Sequence, residues 1–186
     1  MATNPLPELI TFDQYLEQEE KADFKSEYRA GEVFAMSGGT EPHARLIARV
    51  ASLLDQKIGN ACRVYSSELK VYVAGVNESM YPDGMALCGE PEFYKNRKDV
   101  IVNPTLIVEV LSPSTKYYDG SFKTRAYRTI PTLQHYLLID SESVYIQLSS
   151  RSGKNWVLTE STERDCCLEI GHLFTLTLEE VYRGIL

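Results

Sequence analysis

No stretch of this 186-residue chain is apolar for long enough to cross a bilayer, and Met1 to Glu8 lack the basic segment and apolar core of a secretory leader. A cytoplasmic protein with no membrane partner is therefore expected. Cysteine is scarce. Cys62, Cys88, Cys166 and Cys167 form neither a Cys-x-x-Cys pair nor zinc-finger spacing with the three histidines, so they read as buried free thiols rather than a metal cluster or a disulfide framework. Positive charge is in deficit too. A formal net charge of −7 argues against a protein that coats nucleic acid non-specifically, because that mode of binding is phosphate neutralisation by lysine and arginine, and leaves open a local basic patch such as Lys116, Lys123, Arg125 and Arg128. No Gly-x-Gly-x-x-Gly follows a strand-like segment, which removes dinucleotide binding. No Gly-x-Ser-x-Gly elbow is present, which leaves serine-hydrolase chemistry at Ser112 or Ser114 without support. Repeats and low-complexity segments are also missing.

What remains, 44% hydrophobic and 24% charged residues, is the composition of one globular domain over residues 1–186 with a substantial core. Thr11 and Gln14 are placed as a capping box, predicting a helix from Phe12 to about Glu20. Two short strands, Phe24 to Arg29 and Glu32 to Met36, flank Ala30-Gly31. Leu46, Ile47, Val50, Leu53, Leu54 and Ile58 recur at the spacing of a buried helical stripe that Gly59-Asn60 ends. Strand-like alternation runs from Cys62 to Ala74. Gly75 to Pro82 reads as a loop, Met85 to Cys88 as a short strand, and Gly89 to Pro104 as a long charged loop. Phe122, Ala126 and Ile130 predict a helix over Asp119 to Thr129, stopped by Pro131. Three antiparallel strands come next (Tyr136 to Ile139, Val144 to Leu148, Asn155 to Thr159), then a last helix capped by Thr177 with Glu180 in the box position. The order predicts a mixed α/β (α+β) architecture, a mixed sheet flanked by helices with additional antiparallel strands.

Glu109 is the residue that demands a reason. It interrupts Leu106-Ile107-Val108-Glu109-Val110-Leu111, a run apolar on both faces of a strand, where an unpartnered carboxylate costs several kcal/mol, roughly, so a cation, a metal or a proton must meet it. Pro82-Asp83 supplies a second acid just before a short apolar segment, and Asp119 and Lys123 lie four apart on the next helix. Two strand-borne acids and a lysine are the parts that hold a divalent cation and steady a phosphate or water beside it.

These residues resemble the Uma-two family of restriction-endonuclease-like proteins, over about Phe12 to Leu148. The carriers are Glu27, Gly31-Glu32, His43, Pro82-Asp83, the phrase Val108-Glu109-Val110-Leu111-Ser112-Pro113-Ser114-Thr115, and Asp119, Lys123 and Tyr127. The resemblance implies a restriction-endonuclease-like fold with a PD-(D/E)XK site. Asp83, Glu109 and the Val110 carbonyl would be ligands to magnesium, with manganese as a substitute, and Lys123 would be the catalytic lysine. Leu111 stands where the lysine usually does, so that role passes to the next helix. Gly84 stands where an apolar residue is usual. Glu27 would add a water-mediated ligand and His43 a phosphate-facing group. The implied activity is phosphodiester hydrolysis on DNA, with a homodimer as the usual assembly. A nuclease-fold binding module without turnover is the alternative that Leu111 and the acidic balance permit.

Each residue also has a plainer reading. Asp83 after proline can begin a turn. Asp119 and Lys123 can be an exposed helix ion pair worth about 0.3–0.5 kcal/mol. Glu27 can pair with a surface lysine, Tyr127 can serve packing, and His43, His135 and His172 can be structural. Lys95, Arg97 and Lys98 read as solvated surface charge.

Overall fold

The computed structural model describes residues 9–186, so the leader reading of Met1 to Glu8 lies outside the described residues. Helix α1 (Phe12–Glu19) precedes the hairpin β1 (Ser26–Arg29) and β2 (Glu32–Ala35), and helix α2 (Glu41–Ile58) comes after it. Strands β3 (Arg63–Ser66), β4 (Lys70–Val73), β5 (Glu78–Met80), β6 (Gly84–Leu87), β7 (Val100–Ile101) and β8 (Leu106–Leu111) come next. Helix α3 (Lys116–Tyr118), a π-turn (Asp119–Lys123) and α4 (Thr124–Tyr127) form one continuous helical segment. The chain ends with β9 (His135–Asp140), β10 (Ile146–Ser152), β11 (Asn155–Ser161), the hairpin β12 (Cys167–Ile170) and β13 (Phe174–Thr177), and α5 (Leu178–Tyr182).

Local chemistry accounts for the boundaries. Thr11 and Gln14 make a reciprocal capping box on α1, and Thr177 and Glu180 make another on α5. Ala30 and Gly31 both take positive φ, 46° and 109°, which turns β1 tightly into β2. Leu46, Val50, Leu54 and Ile58 form the buried stripe of α2.

The central sheet has the order β11-β10-β9-β8-β6-β3, parallel between β8 and β9 and antiparallel elsewhere. A second sheet, β2-β1-β5-β4-β7, is antiparallel except at β4 and β7. All six residues of β8 are buried, and its faces belong to different cores. Leu106, Val108 and Val110 pack with the stripes of α2 and α5. Ile107 and Leu111 pack with Val71 and Met80 of the second sheet and with Ala126 and Tyr127 of α4. Among the described residues no helix is long and apolar enough to cross a membrane.

Several expectations are corrected. Cys62 and Cys88 are joined in a disulfide, and Cys166 and Cys167 are half-buried and exposed, so none of the four is a buried free thiol. The reason is register: Arg63 faces Leu87 across β3 and β6, which sets the flanking cysteines opposite each other with Cα atoms 4.2 Å apart. Gly75 to Pro82 holds β5, not only loop, because Glu78 to Met80 bridge β1 and β4. The charged loop contains β7, and the β12–β13 hairpin was not foreseen. The helix expected from Asp119 begins at Lys116 and carries a π-turn, whose extra residue rotates Phe122 off the Ala126 and Ile130 stripe. Phe122 is 51% exposed, whereas Ala126 and Ile130 are buried.

Candidate active site

The register between β6 and β8 determines which acids can meet. Gly84 pairs with Val108, so Asp83 lies level with the stretch of β8 where Glu109 leaves the strand. Backbone pairing with β6 ends there, and the Asp83 side chain continues the ladder: Oδ2 accepts the Val110 N–H at 2.7 Å. Gly84 leaves the strand regular, since a Cβ there would meet Val108 and Leu54 only at ordinary contact distance. Asp83 is thus a structural cap of the sheet as well as a free carboxylate edge.

Glu109 projects on the Ile107 and Leu111 face, toward α4. Lys123 Nζ lies 3.1 Å from its Oε1, and the Tyr127 hydroxyl donates to the same oxygen at 3.1 Å. The same ammonium is 3.0 Å from Glu27 Oε1 on β1 and 3.2 Å from Asp119 Oδ1 across the π-turn. Those two oxygens are at ion-pair distance but outside hydrogen-bond geometry, and both are buried acceptors without a hydrogen bond. His43, in the first turn of α2, brings Nε2 to 3.8 Å from Asp83 Oδ2. Its ring lies where a Cβ on Gly39 would be, so the Ser37-to-Thr40 linker needs glycine at that position.

Asp83, Glu109, Val110, Asp119, Lys123 and His43 line one cleft of about 60 Å³, which admits water. Glu27 lines an adjoining cleft of about 140 Å³ that shares Asp119 and Lys123. All the sequence-chosen residues therefore lie in one neighbourhood. Asp119 and Lys123 are not the exposed pair of the plain reading, since their side chains are 4% and 6% exposed. Tyr127 does more than pack. Its hydrogen bond to Glu109 was legible only as a shared helical face with Lys123.

Charge is the unusual property of the site. Four carboxylates, Glu27, Asp83, Glu109 and Asp119, surround one lysine and one histidine. Burial pushes Glu109 well above the usual carboxylate range, with Lys123 opposing and Asp119, Asp83 and Glu27 adding to the rise. Burial likewise raises Asp83, against the Val110 hydrogen bond, His43 and Lys123. For Lys123, burial works against the charge, but Glu109, Glu27, Tyr127 and Asp119 prevail and hold the ammonium protonated well above its ordinary range. Among the described residues no three His, Cys, Asp or Glu side chains are arranged as a ready metal cage. Asp83 and Glu109 are two hard-oxygen donors at one cleft, which fits magnesium, an ion that commonly takes one or two carboxylates and fills the rest of its shell with water. Arg97 and Lys95, by contrast, are engaged by Asp99, Glu20 and Asp13, so that basic stretch is self-neutralised.

A mixed sheet with helices on both sides, carrying two strand-borne acids beside a helix lysine, has the restriction-endonuclease-like architecture. The chain belongs to the Uma2 family, described as "Putative restriction endonuclease", whose profile matches residues 12–179. It is similar to two uncharacterized proteins of Synechocystis. One, sll1609, is 37% identical over 154 residues, covering 82% of this chain and 87% of the relative. The other, slr1290, is 34% identical over 185 residues, covering 97% and 95%. In three dimensions the chain is similar to a crystal structure titled a putative nuclease, from Anabaena variabilis. That match has a TM-score of 0.75 at 16% identity, over 95% of this chain and 99% of that one, and it shows a shared fold.

Proposed function

We propose that this protein is a magnesium-dependent DNA endonuclease, with Asp83, Glu109 and the Val110 carbonyl as the metal's protein ligands and Lys123 as the catalytic lysine. Manganese substitutes for magnesium in this reading. The observation that carries it is the excess of buried negative charge: four carboxylates crowd one lysine, two of their oxygens have no hydrogen bond, and Asp83 and Glu109 share a water-accessible cleft. A divalent cation held there would screen the phosphodiester and lower the pKa of a water.

The chain's own residues supply the rest. Lys123 is held protonated by its acidic neighbours and presents a fixed positive charge at the cleft, where it offsets charge developing on the scissile phosphate. Tyr127 and Lys123 together hold Glu109 Oε1, which fixes the carboxylate's rotation and would leave its other oxygen for the cation. His43, 3.8 Å from Asp83, would contact phosphate in this reading, and Glu27 anchors the lysine from the second sheet. Strand β11 is an edge of the central sheet with Val157 and Leu158 exposed, and it is the surface at which two copies would pair in a homodimer.

The test is cleavage of supercoiled, linear and single-stranded DNA in magnesium or manganese, alongside calorimetric cation binding. The expected result is cutting that Asp83→Asn abolishes together with most cation affinity. Absence of cutting on every form, with cation affinity unchanged in Asp83→Asn, overturns the proposal. The second reading, a binding module without turnover, is favoured by the ion pairing that already occupies Lys123. Cation binding without cleavage identifies it.

A further inference from the structure

Five flat side chains stand in series beside the site. The Arg29 guanidinium on β1 lies between two rings, 4.0 Å from the centroid of Phe34 on β2 and 3.9 Å from that of Tyr118 on α3. Beyond Tyr118, Phe122 lies at 6.2 Å and Tyr117 at 6.0 Å from Phe122. Arg29, Phe34 and Tyr118 line the cleft of about 140 Å³ that also contains Glu27 and Lys123, and the Tyr118 ring is 5.5 Å from the Lys123 ammonium. The middle of the series, Tyr118, therefore lies beside the proposed catalytic lysine, with Phe122 and Tyr117 outside the cleft.

Two features of the series are unexplained by folding. Phe34, Phe122 and Tyr117 are 38%, 51% and 78% exposed, three large ring surfaces in water on one lip. Arg29 has no carboxylate within ion-pair distance among the described residues, and its Nε is buried without a hydrogen bond. The nearby cations Lys116 and Lys70 are, by contrast, held by Asp140 and Asp99. A guanidinium clamped between rings keeps its fork of donors pre-oriented, the geometry that recognises phosphate.

Resting on the nuclease reading, we infer that the site takes its substrate as an unpaired DNA strand, with bases stacked on Tyr117, Phe122 and Phe34 and a backbone phosphate held by Arg29. Charge decides between unpaired and duplex substrate. Tracking a duplex takes rows of cations, and this chain has a net charge of −7 with Lys25, Lys57, Lys70, Lys95, Lys116 and Lys123 already held by carboxylates. Stacking on aromatic rings is independent of that balance, but it requires base faces that a duplex hides in its own stack. The π-turn is what aims Phe122 outward to serve in the series.

The experiment is fluorescence anisotropy of a labelled oligothymidylate and of a duplex of equal length, in EDTA and again in calcium, with wild type, Tyr117→Ala, Phe122→Ala and Arg29→Lys. Tyr117 and Phe122 are exposed, so their variants keep the fold, which circular dichroism checks. The expected result is single-strand binding at least about ten-fold tighter than duplex binding, weakened about five-fold or more by each aromatic variant. Arg29→Lys, which keeps the charge and loses the planar fork, weakens it as well. Equal affinity for the two forms, or wild-type affinity in both aromatic variants, overturns the inference. Duplex cleavage undiminished in those variants overturns it too while the nuclease reading stands. Single-strand binding that depends on the two rings, with no DNA cut in magnesium or manganese, supports the inference and removes the nuclease reading.

Discussion

Replacing Lys123 with methionine keeps most of the side-chain volume and removes the charge that three buried carboxylates share. Its nitrogen lies 3.0, 3.1 and 3.2 Å from Glu27, Glu109 and Asp119, with the side chain 6% exposed. Removing one member of a buried ion pair costs about 3–5 kcal/mol, because the remaining charge is left without compensation. In a chain of this size that is a fall in Tm of about 6–20 °C. The loss must depend on pH. Without the ammonium, Glu109, which burial already raises, can discharge only by binding a proton, so its folded pKa rises further above the unfolded carboxylate value of about 4–4.5. A group raised in this way contributes stability that is present below the unfolded value and lost as pH rises through the folded value. The gap between Lys123→Met and wild type should therefore be widest at alkaline pH and shrink on acidification. Glu109→Gln in the same chain should recover part of it, because one of the uncompensated charges is gone. Thermal unfolding in EDTA across a pH series measures all three proteins. Manganese calorimetry adds an independent sign: the variant should bind the cation more tightly than wild type and cut no DNA, since the carboxylates have lost their internal counter-ion. A shift of Tm below about 2 °C, the same at every pH, would refute the charge argument.

Tyr127→Phe removes the hydroxyl donated to Glu109 Oε1; a loss of about 1.5–3 kcal/mol is expected in denaturant unfolding, with cleavage reduced as the carboxylate loses one of its two positioning donors. Burial raises both Asp83 and Glu109, and cation binding needs them ionised, so manganese affinity should climb with pH beyond the ordinary carboxylate range. Affinity that levels off near pH 4.5, where an ordinary carboxylate titrates, would contradict this. Alkylation of the unfolded protein should find two thiols before reduction and four after, because Cys62 and Cys88 are bridged. Closing a chain segment of this length is worth about 3–4 kcal/mol, so reductant should lower Tm.

Glu109 was legible because five apolar neighbours leave a carboxylate no solvent, and α2 because its stripe repeats through eighteen residues. Asp83 and Lys123 stood out in combination with Glu109, and the family phrase strengthened them, since Pro-Asp and an i,i+4 acid–lysine pair are by themselves common in turns and helices. The hidden part was set by pairing between distant segments. Nothing local in Cys62 or Cys88 encodes the β3–β6 register that bridges them, and Glu78-Ser79-Met80 becomes a strand only because β1 and β4 flank it. The β12–β13 hairpin escaped because each strand is only four residues long, although Leu168 and Ile170 alternate with exposed residues and Leu176 is buried. Phe122 misled for a different reason: a period of 3.6 residues assumes an α-helix, and the backbone departs from one at Asp119–Lys123.

The segment that holds this departure makes the arrangement of the site fragile to length rather than to chemistry. An i→i+5 turn holds one residue more than an α-helical turn, so losing Gly120 or Ser121 would close the bulge with little rotation, whereas losing Arg125 from the regular stretch would turn the Lys116–Lys123 end about 100° against Tyr127. Lys123 and Asp119 would then swing away from Tyr127 and Glu109 while each carboxylate and the lysine itself survived in the gene. A lineage could thus silence this site with one lost codon, and its descendants would still carry every signature acid by which an intact copy is recognised.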